Sequence, residues 1–525
     1  MIKVTNISIL VFAVVFLVFG LSEARSQVLK FTEPFSTSTP FLETDKRVEC
    51  IKIGKEFIVI SKTKGNLTGD SQWALERYGE DLKTVFSTAL TVSVQEDYKQ
   101  LYYNGQDIVL FSINHNTSDK VSRLLAYGFD PGTGAQKWEK VLQELKIGDW
   151  VSSPSKGRVK ENFENSISSC LKSNFVPALQ YQYDLVFSPD SSLIMSYIYD
   201  YGQRTTMANL IIFDTKLNLV HEETVPIDNG FTNYGLSLNN KGQVYILNAD
   251  RIGRIVLVKY DIPTKDAQLL DIQNASTSRE NLTMKVWKDD IVYVANINTR
   301  SGQFSGIMYS KFNFELNLVE KINYHEVSMG LKQTINALRQ SNKNVRGDES
   351  WKGYQITNFI INEYEKIIIV LEKREILSLE FAYDPSASND PERWREKQGK
   401  VNAEGILMFS FNMDDDVLWE NFYLKSQVAD VSAGITSSSF NFDNSAEGKL
   451  RIVYGTSDNG SANFNLINYV EWDEYNGNKV KDITLENGEK MTLLRNYVVW
   501  WDKKFVVAGK KGMLGKKSFL SLYQY

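Results

Sequence analysis

The sequence predicts an all-β fold of repeated four-stranded units, on three observations. The stretch "LNLVHEETV" at 217–225 returns as "LNLVEKINY" at 316–324. Related stretches, each an aromatic residue, a polar turn and an apolar run, begin at Tyr78, Phe129, Phe213, Tyr260, Phe312, Phe411 and Trp472. The chain then ends in "LSLYQY", the front half of the same unit. Successive starts lie 51, 84, 47, 52, 99 and 61 residues apart, with 51 more to Tyr523. A period near 50 residues is that of a solenoid or propeller unit.

The elements follow in chain order. Residues 1–26 have the layout of a signal peptide: Lys3, the apolar run "ISILVFAVVFLVFGL", then small residues at Ala24 and Ser26. The apolar run is short for a bilayer span. No later stretch is apolar enough to cross one, so no transmembrane segment is expected after cleavage before Gln27. Losing Lys3, Glu23 and Arg25 takes the net charge from −5 to −6, which argues against nucleic acid as a partner.

Each repeat is preceded by two more apolar runs around a short turn. Examples are "DLVFSPDSSLIMSYIYD" before Phe213, "YGLSLNNKGQVYILNAD" before Tyr260 and "FIINEYEKIIIVLEK" before Phe411. Runs of β-branched and aromatic residues broken by Asn, Asp, Gly or Lys are hairpins. The unit is therefore four antiparallel strands, a β-propeller blade. A single blade cannot shield both faces, so the blades must stack around an axis. The last unit, "NYVVWW", "KKFVVAGKK" and "KSFLSLYQY", supplies three strands. Its fourth is expected from "QVLKFTEPF" near the N-terminus, which would remove an open edge. The count is eight blades over 27–525, with seven as the runner-up. The long intervals hold insertions at about 145–178, 328–353 and 382–404. The first has a helical apolar face through Phe163, Ile167, Cys170 and Leu171. The second has one through Met329, Leu331, Ile335 and Leu338, and the third reads as an exposed polar loop.

One unit resembles a known repeat. In "YGFDPGTGAQKWEKV", Asp130, Thr133, Gly134 and Trp138 match the aliphatic-Asp-x-x-Thr-Gly-turn-Trp pattern of the pyrroloquinoline-quinone dehydrogenases and the outer-membrane assembly lipoprotein related to them. Trp419 is a second partial match. "VFSPDSSLIMSY" resembles the Ser-Pro-Asp turn of TolB-like periplasmic proteins. Each match covers about one blade, so the resemblance implies a loose propeller class. It implies eight blades, and it does not imply a quinone cofactor. Those enzymes repeat the Trp motif around the ring and use calcium and, in many, adjacent cysteines, whereas Cys50 and Cys170 lie far apart.

Convergent chemistry is sparse. The three histidines, His115, His221 and His325, are unpaired in sequence, and the last two are expected to face solvent from outer strands. "SPSK" (Ser153–Lys156) and "SDN" (Ser457–Asn459) superficially match penicillin-binding enzymes, but the third motif, Lys-Thr-Gly, is absent. "RGD" at Arg346–Asp348 is a tripeptide of common residues. The nearest approach to a metal loop is Asp384, Ser386, Ser388, Asp390 and Glu392, a weak calcium candidate. Asn389 and Arg395 stand where an EF-hand needs Gly and Glu, so a solvated loop and no cofactor are expected. Cys50 and Cys170 could form a disulfide after export, but two thiols alone fix no geometry.

The reading that results is a secreted or periplasmic, monomeric, non-catalytic binding or scaffold propeller of a bacterial envelope, which takes a protein or glycan partner through its face loops. Two alternatives stand beside it: a glycan or peptide hydrolase with carboxylates at the channel mouth, and a small-ligand or calcium sensor.

Overall fold

The computed structural model describes residues 25–29, 50–65, 71–93, 96–116, 121–146, 183–201, 206–227, 231–250, 253–272, 281–300, 303–341, 351–383, 394–430, 439–456, 466–486, 492–511 and 517–524. They form eight antiparallel sheets of four strands each. Seven are built in chain order, at 50–92, 96–146, 184–227, 231–272, 283–326, 354–430 and 441–486. In the eighth, 492–500, 504–511 and 517–524 are joined by Arg25–Leu29 as the outermost strand. The register is Arg25↔Gln524 through Leu29↔Leu520. Two residues assigned above to the leader, Arg25 and Ser26, are thus paired; cleavage before Gln27 would leave three of the five pairs.

The ring follows from side-chain alternation in the second strand of each blade. These strands contain near-continuous apolar runs: "FIVI", "IVLF", "LIMSYI", "VYIL", "IVYVA", "IIIVL", "RIVY" and "FVVA". Successive side chains of a strand point to opposite faces, so such a run means that both faces are buried. In blade one, Ile58 and Ile60 pack against Leu101, Ile108 and Phe129 of blade two. Their neighbours Phe57 and Val59 pack against Val499, Trp501, Val506 and Leu520 of blade eight. Each of the eight junctions has one such apolar cluster, and the last joins the first blade to the eighth. The first strands of neighbouring blades touch each other, which sets them at the axis.

Because strands alternate in direction, the links from strand one to two and from three to four fall on one face, and all others on the opposite face. The first face is made of links two to six residues long. In blades two to seven the Asp or Asn after the repeated aromatic caps the link between strands three and four. The Asp130 carboxylate accepts the N–H groups of Gly132 and Thr133. Asp214, Asp261, Asn313, Asn412 and Asp473 accept equivalent N–H groups in their own turns. These are Asx turns, so the recurring dipeptide is turn chemistry. "MDDD" (Met413–Asp416) is one of them. The two near-identical repeats differ within the turn. Leu217 has φ +59° and is buried, whereas in the second copy Asn317 has φ +53° and Leu316 is exposed. Phe213 pairs with Leu219 but Phe312 with Val319, a register shifted by one residue.

Two sequence expectations need correction here. Residues 382–404 are not one exposed loop: strands run Ile367–Tyr383 and Trp394–Phe411, and Asn402, Ala403 and Glu404 are buried. The polar residues there pair with buried partners, so polarity did not mean exposure. The helix Met329–Ser341 forms, but Met329 and Leu338 are exposed, and the buried positions are Ile335 and Arg339. With Leu331 packed nearby, the inward stripe is 331, 335, 339, one position round from the apolar pattern. The helix expected around Cys170 lies outside the described residues.

Candidate functional site at the loop face of blade six

Blade six differs from the other seven in strand length. Its second, third and fourth strands have 17, 18 and 14 residues, Ile367–Tyr383, Trp394–Phe411 and Val417–Asp430. The first strand stops at the pair Tyr354↔Lys373 and the fourth at Lys400↔Asp430. Beyond them Leu379 pairs with Gly399 and onward to Tyr383 with Trp394. Among the described residues these pair only with each other. They form a two-stranded arm about 17 Å long at the usual strand rise, on the face that carries the longer links.

A belt of buried charge lies at the base of the arm. The strand reads "IIIVL" and then Glu372, Lys373, Arg374, all buried. Alternation sends them to opposite faces. Towards blade seven, Glu372 meets Lys425 at 2.5 Å and Arg374 Nε at 2.5 Å, and accepts the Ser439 hydroxyl at 2.5 Å. Arg374 also donates to Ser439 Oγ at 2.7 Å. Lys425 donates to Gln427 Oε1 at 2.6 Å and stands 5.6 Å from the centre of the Tyr454 ring. Gln427 in turn donates to the Gly455 carbonyl of blade seven at 2.6 Å. On the other face, Glu404 is bound by Arg339 from the helix, with Lys373 at 3.9 Å and Asn402 Nδ2 at 3.0 Å. The belt thus bonds blade six, below the arm, to the helix on one side and to the next blade on the other.

Burial alone would raise the Glu372 carboxyl, but the Lys425 ammonium and then the Arg374 guanidinium hold it down at about 2. Burial raises the Tyr354 phenol well above its ordinary value. A carboxylate this strongly ionised has no proton to give near neutral pH and is a poor base. The chemistry of the belt is therefore holding: removing Glu372 would take the carboxylate from two buried cations, and removing Lys425 would leave that carboxylate to Arg374 alone.

At the axis, the first strands are half-exposed and mixed in character, with Tyr102, Phe187, Tyr234, Trp287 and Phe359 beside charged residues. The acids described there are engaged. Asp184 pairs with Lys99 at 2.8 Å, Asp443 with Arg451, and Glu96 accepts from Ser112 at 2.5 Å and Tyr127 at 2.8 Å. Among the described residues, no three His, Cys, Asp or Glu side chains converge as metal ligands, and no helix is long and apolar enough to cross a membrane.

The sequence-level candidates do not gather at this belt. Asp384, Ser386, Ser388, Asp390 and Glu392, the RGD tripeptide, Ser153–Lys156, Ser457–Asn459 and Cys170 lie outside the described residues. Cys50 is half-buried against the junction of blades one and eight. His115 lies on the strand Ile108–Asn116. His221 is half-buried. His325 does not face solvent: its Nε2 lies 3.2 Å from Glu420 of blade six, and its ring meets Phe409 and Phe411 edge-on. Outer strands lean on the next blade, so alternate positions are covered. Trp138 packs on Gly128, where a Cβ would lie 2.0 Å from the indole, and donates to Asp107 at 3.0 Å. Trp419 similarly covers Gly477 and donates to the Glu474 carbonyl at 3.0 Å. Both tryptophans therefore serve packing. Glu372, Arg374, Lys425, Arg339 and Glu404 were not singled out from sequence. The signal was the charged run "EKRE" (372–375), set where other second strands continue with "SINHN", "LNAD" or "YGTS".

No family model matches the chain, and no curated protein sequence matches it. Among solved structures it is similar to the β-propeller domain of the Trilobed protease from Pyrococcus furiosus, at 7% identity and TM-score 0.34, covering 81% of this chain and 94% of that one. It is also similar to the WD40 domain of SCAP from fission yeast, at 9% identity and TM-score 0.35, covering 96% and 98%. A third similar structure is the polysaccharide lyase Uly1, at 9% identity and TM-score 0.38, covering 96% and 99%.

Proposed function

We propose that this chain is an exported, non-catalytic binding propeller, secreted or periplasmic and monomeric, which recognises a protein or glycan partner through its loop face, with the blade-six arm as the main contact. One observation carries the reading: the arm extends beyond its blade yet is fixed at its base by a buried ionic belt. Binding elements on a rigid scaffold lose less freedom on association. The mixed axial lining and the engaged acids at the axis support binding over hydrolysis. Export rests on the leader pattern of residues 1–26.

Replacing 379–399 by an Asn-Gly turn between Ser378 and Lys400 tests this. The arm's end pairs lie outside the four-stranded sheet, so the thermal midpoint should shift by no more than about 2 °C. Capture of the partner from envelope extract should be lost. Equal capture by the shortened and native chains would overturn the assignment.

A further inference from the structure

The capped face has its own prepared surface, where blades six and seven meet. Turn 362–366 is closed by Asn362, whose Oδ1 accepts the N–H groups of Tyr364 and Lys366 at 3.0 Å each. Turn 473–478 is closed by Asp473, which accepts those of Tyr475 at 2.8 Å and Asn476 at 3.1 Å. The two turns are bonded to each other. Asn362 Nδ2 donates to Glu474 Oε1 at 3.3 Å, and the Lys366 ammonium donates to the Glu474 carbonyl. Blade six pins the second turn further, through Trp419 to the Glu474 carbonyl at 3.0 Å and Asn421 to the Gly477 carbonyl at 2.6 Å.

These fixed turns present two tyrosines to solvent, Tyr364 at 74% and Tyr475 at 71% exposure. Such exposure is unusual for rings on so constrained a backbone, since an aromatic gains by burial. The Tyr475 ring is backed on one side. It lies against Gly448, where a Cβ would be 2.8 Å from its Cε2, and the Lys366 ammonium is 5.1 Å from its centre. Most of the residue's surface nonetheless faces solvent. The surroundings are polar: Glu363, Asn444, Glu447, Asn476 and Asn478 are all exposed.

We propose that Tyr364 and Tyr475 form a stacking platform for a neutral saccharide chain, on the face opposite the arm. The apolar C–H face of a sugar ring stacks on an open aromatic ring, and the flanking amides and carboxylates serve its hydroxyls. A protein hot spot would sit inside a larger contact ring that excludes water, and polar residues flank this pair instead. The carboxylates Glu363 and Glu447 disfavour polyanions. This surface is independent of the arm, so the two assignments fail separately.

The test is titration of the whole protein with cellohexaose, xylohexaose, chitohexaose and maltohexaose. At least one should bind. Tyr364→Ala and Tyr475→Ala should each weaken it by about tenfold or more, with the thermal midpoint unchanged because both rings are exposed. Tyr475→Phe should bind within about twofold of native, because it keeps the ring. The arm-shortened chain should bind as native does. Binding of none of the four sugars, or undiminished binding by both alanine variants, overturns the platform. Loss of a captured protein in the double alanine variant without any sugar binding overturns it in favour of a protein contact.

Discussion

Lys425→Ala lowers the stability of the chain by about 3–5 kcal/mol, the cost of leaving a buried charge without its partner. Lys425 and Glu372 are both buried and lie 2.5 Å apart. Water cannot replace the lost ammonium there, and Arg374 alone must then hold the carboxylate. The loss also removes the bond to Gln427, which carries the link to blade seven. Replacing both partners, Lys425→Met with Glu372→Leu, should cost less than the sum of the two single changes, because Glu372→Leu alone takes the carboxylate from two buried cations and the double change takes it from Arg374 only. Urea unfolding of the native, single and double variants measures the cycle. A single variant within about 1 kcal/mol of native would mean that the pair is solvated, contrary to the belt described.

Acid should weaken the fold through the same group. The Glu372 carboxyl has an ordinary value of 4.5 and lies near 2 in the folded chain. A depressed carboxyl contributes stability that is fully present above its unfolded value and is lost as pH falls through the folded one. The loss should therefore run from about pH 4.5 to about pH 2, and amounts to roughly 3 kcal/mol at 1.4 kcal/mol per pH unit. Capping carboxylates such as Asp130 and Asp261 are also lowered, first by a Thr133 N–H and the Gln243 amide respectively. The Glu372 share is thus the difference between native and double variant over that window, read from urea unfolding at several pH values. Equal slopes in the two proteins would contradict the assignment.

The ring was legible because period and alternation are local. A blade's second strand announces itself by an apolar run that buries both faces, as "IIIVL" does, and a blade's end by an aromatic-Asx pair that caps a turn. The belt was less legible because its partners are distant in sequence: Glu372 meets Lys425 and Ser439, and Glu404 meets Arg339. Charged residues read singly suggest solvent. Only the fold shows that 372–374 continue a buried strand. The helix illustrates the same limit. Its apolar letters indicated Leu338, but the ion pair with Glu404 turned Arg339 inward. The platform tyrosines carry no sequence mark at all, since Tyr364 and Tyr475 sit in turns like many others.

The ring is closed where Arg25–Leu29 pairs with Leu520–Gln524, and one cross-link tests that closure. With Cys50 and Cys170 changed to Ser, Val28→Cys and Ser521→Cys place two thiols on facing backbone positions of the closing blade, within the span a disulfide bridges. Mild oxidation followed by proteolysis and mass analysis should join the N-terminal peptide to the C-terminal one in nearly every molecule. Two free thiols, with the peptides unlinked while the protein stays folded, would contradict closure and with it the eight-bladed ring.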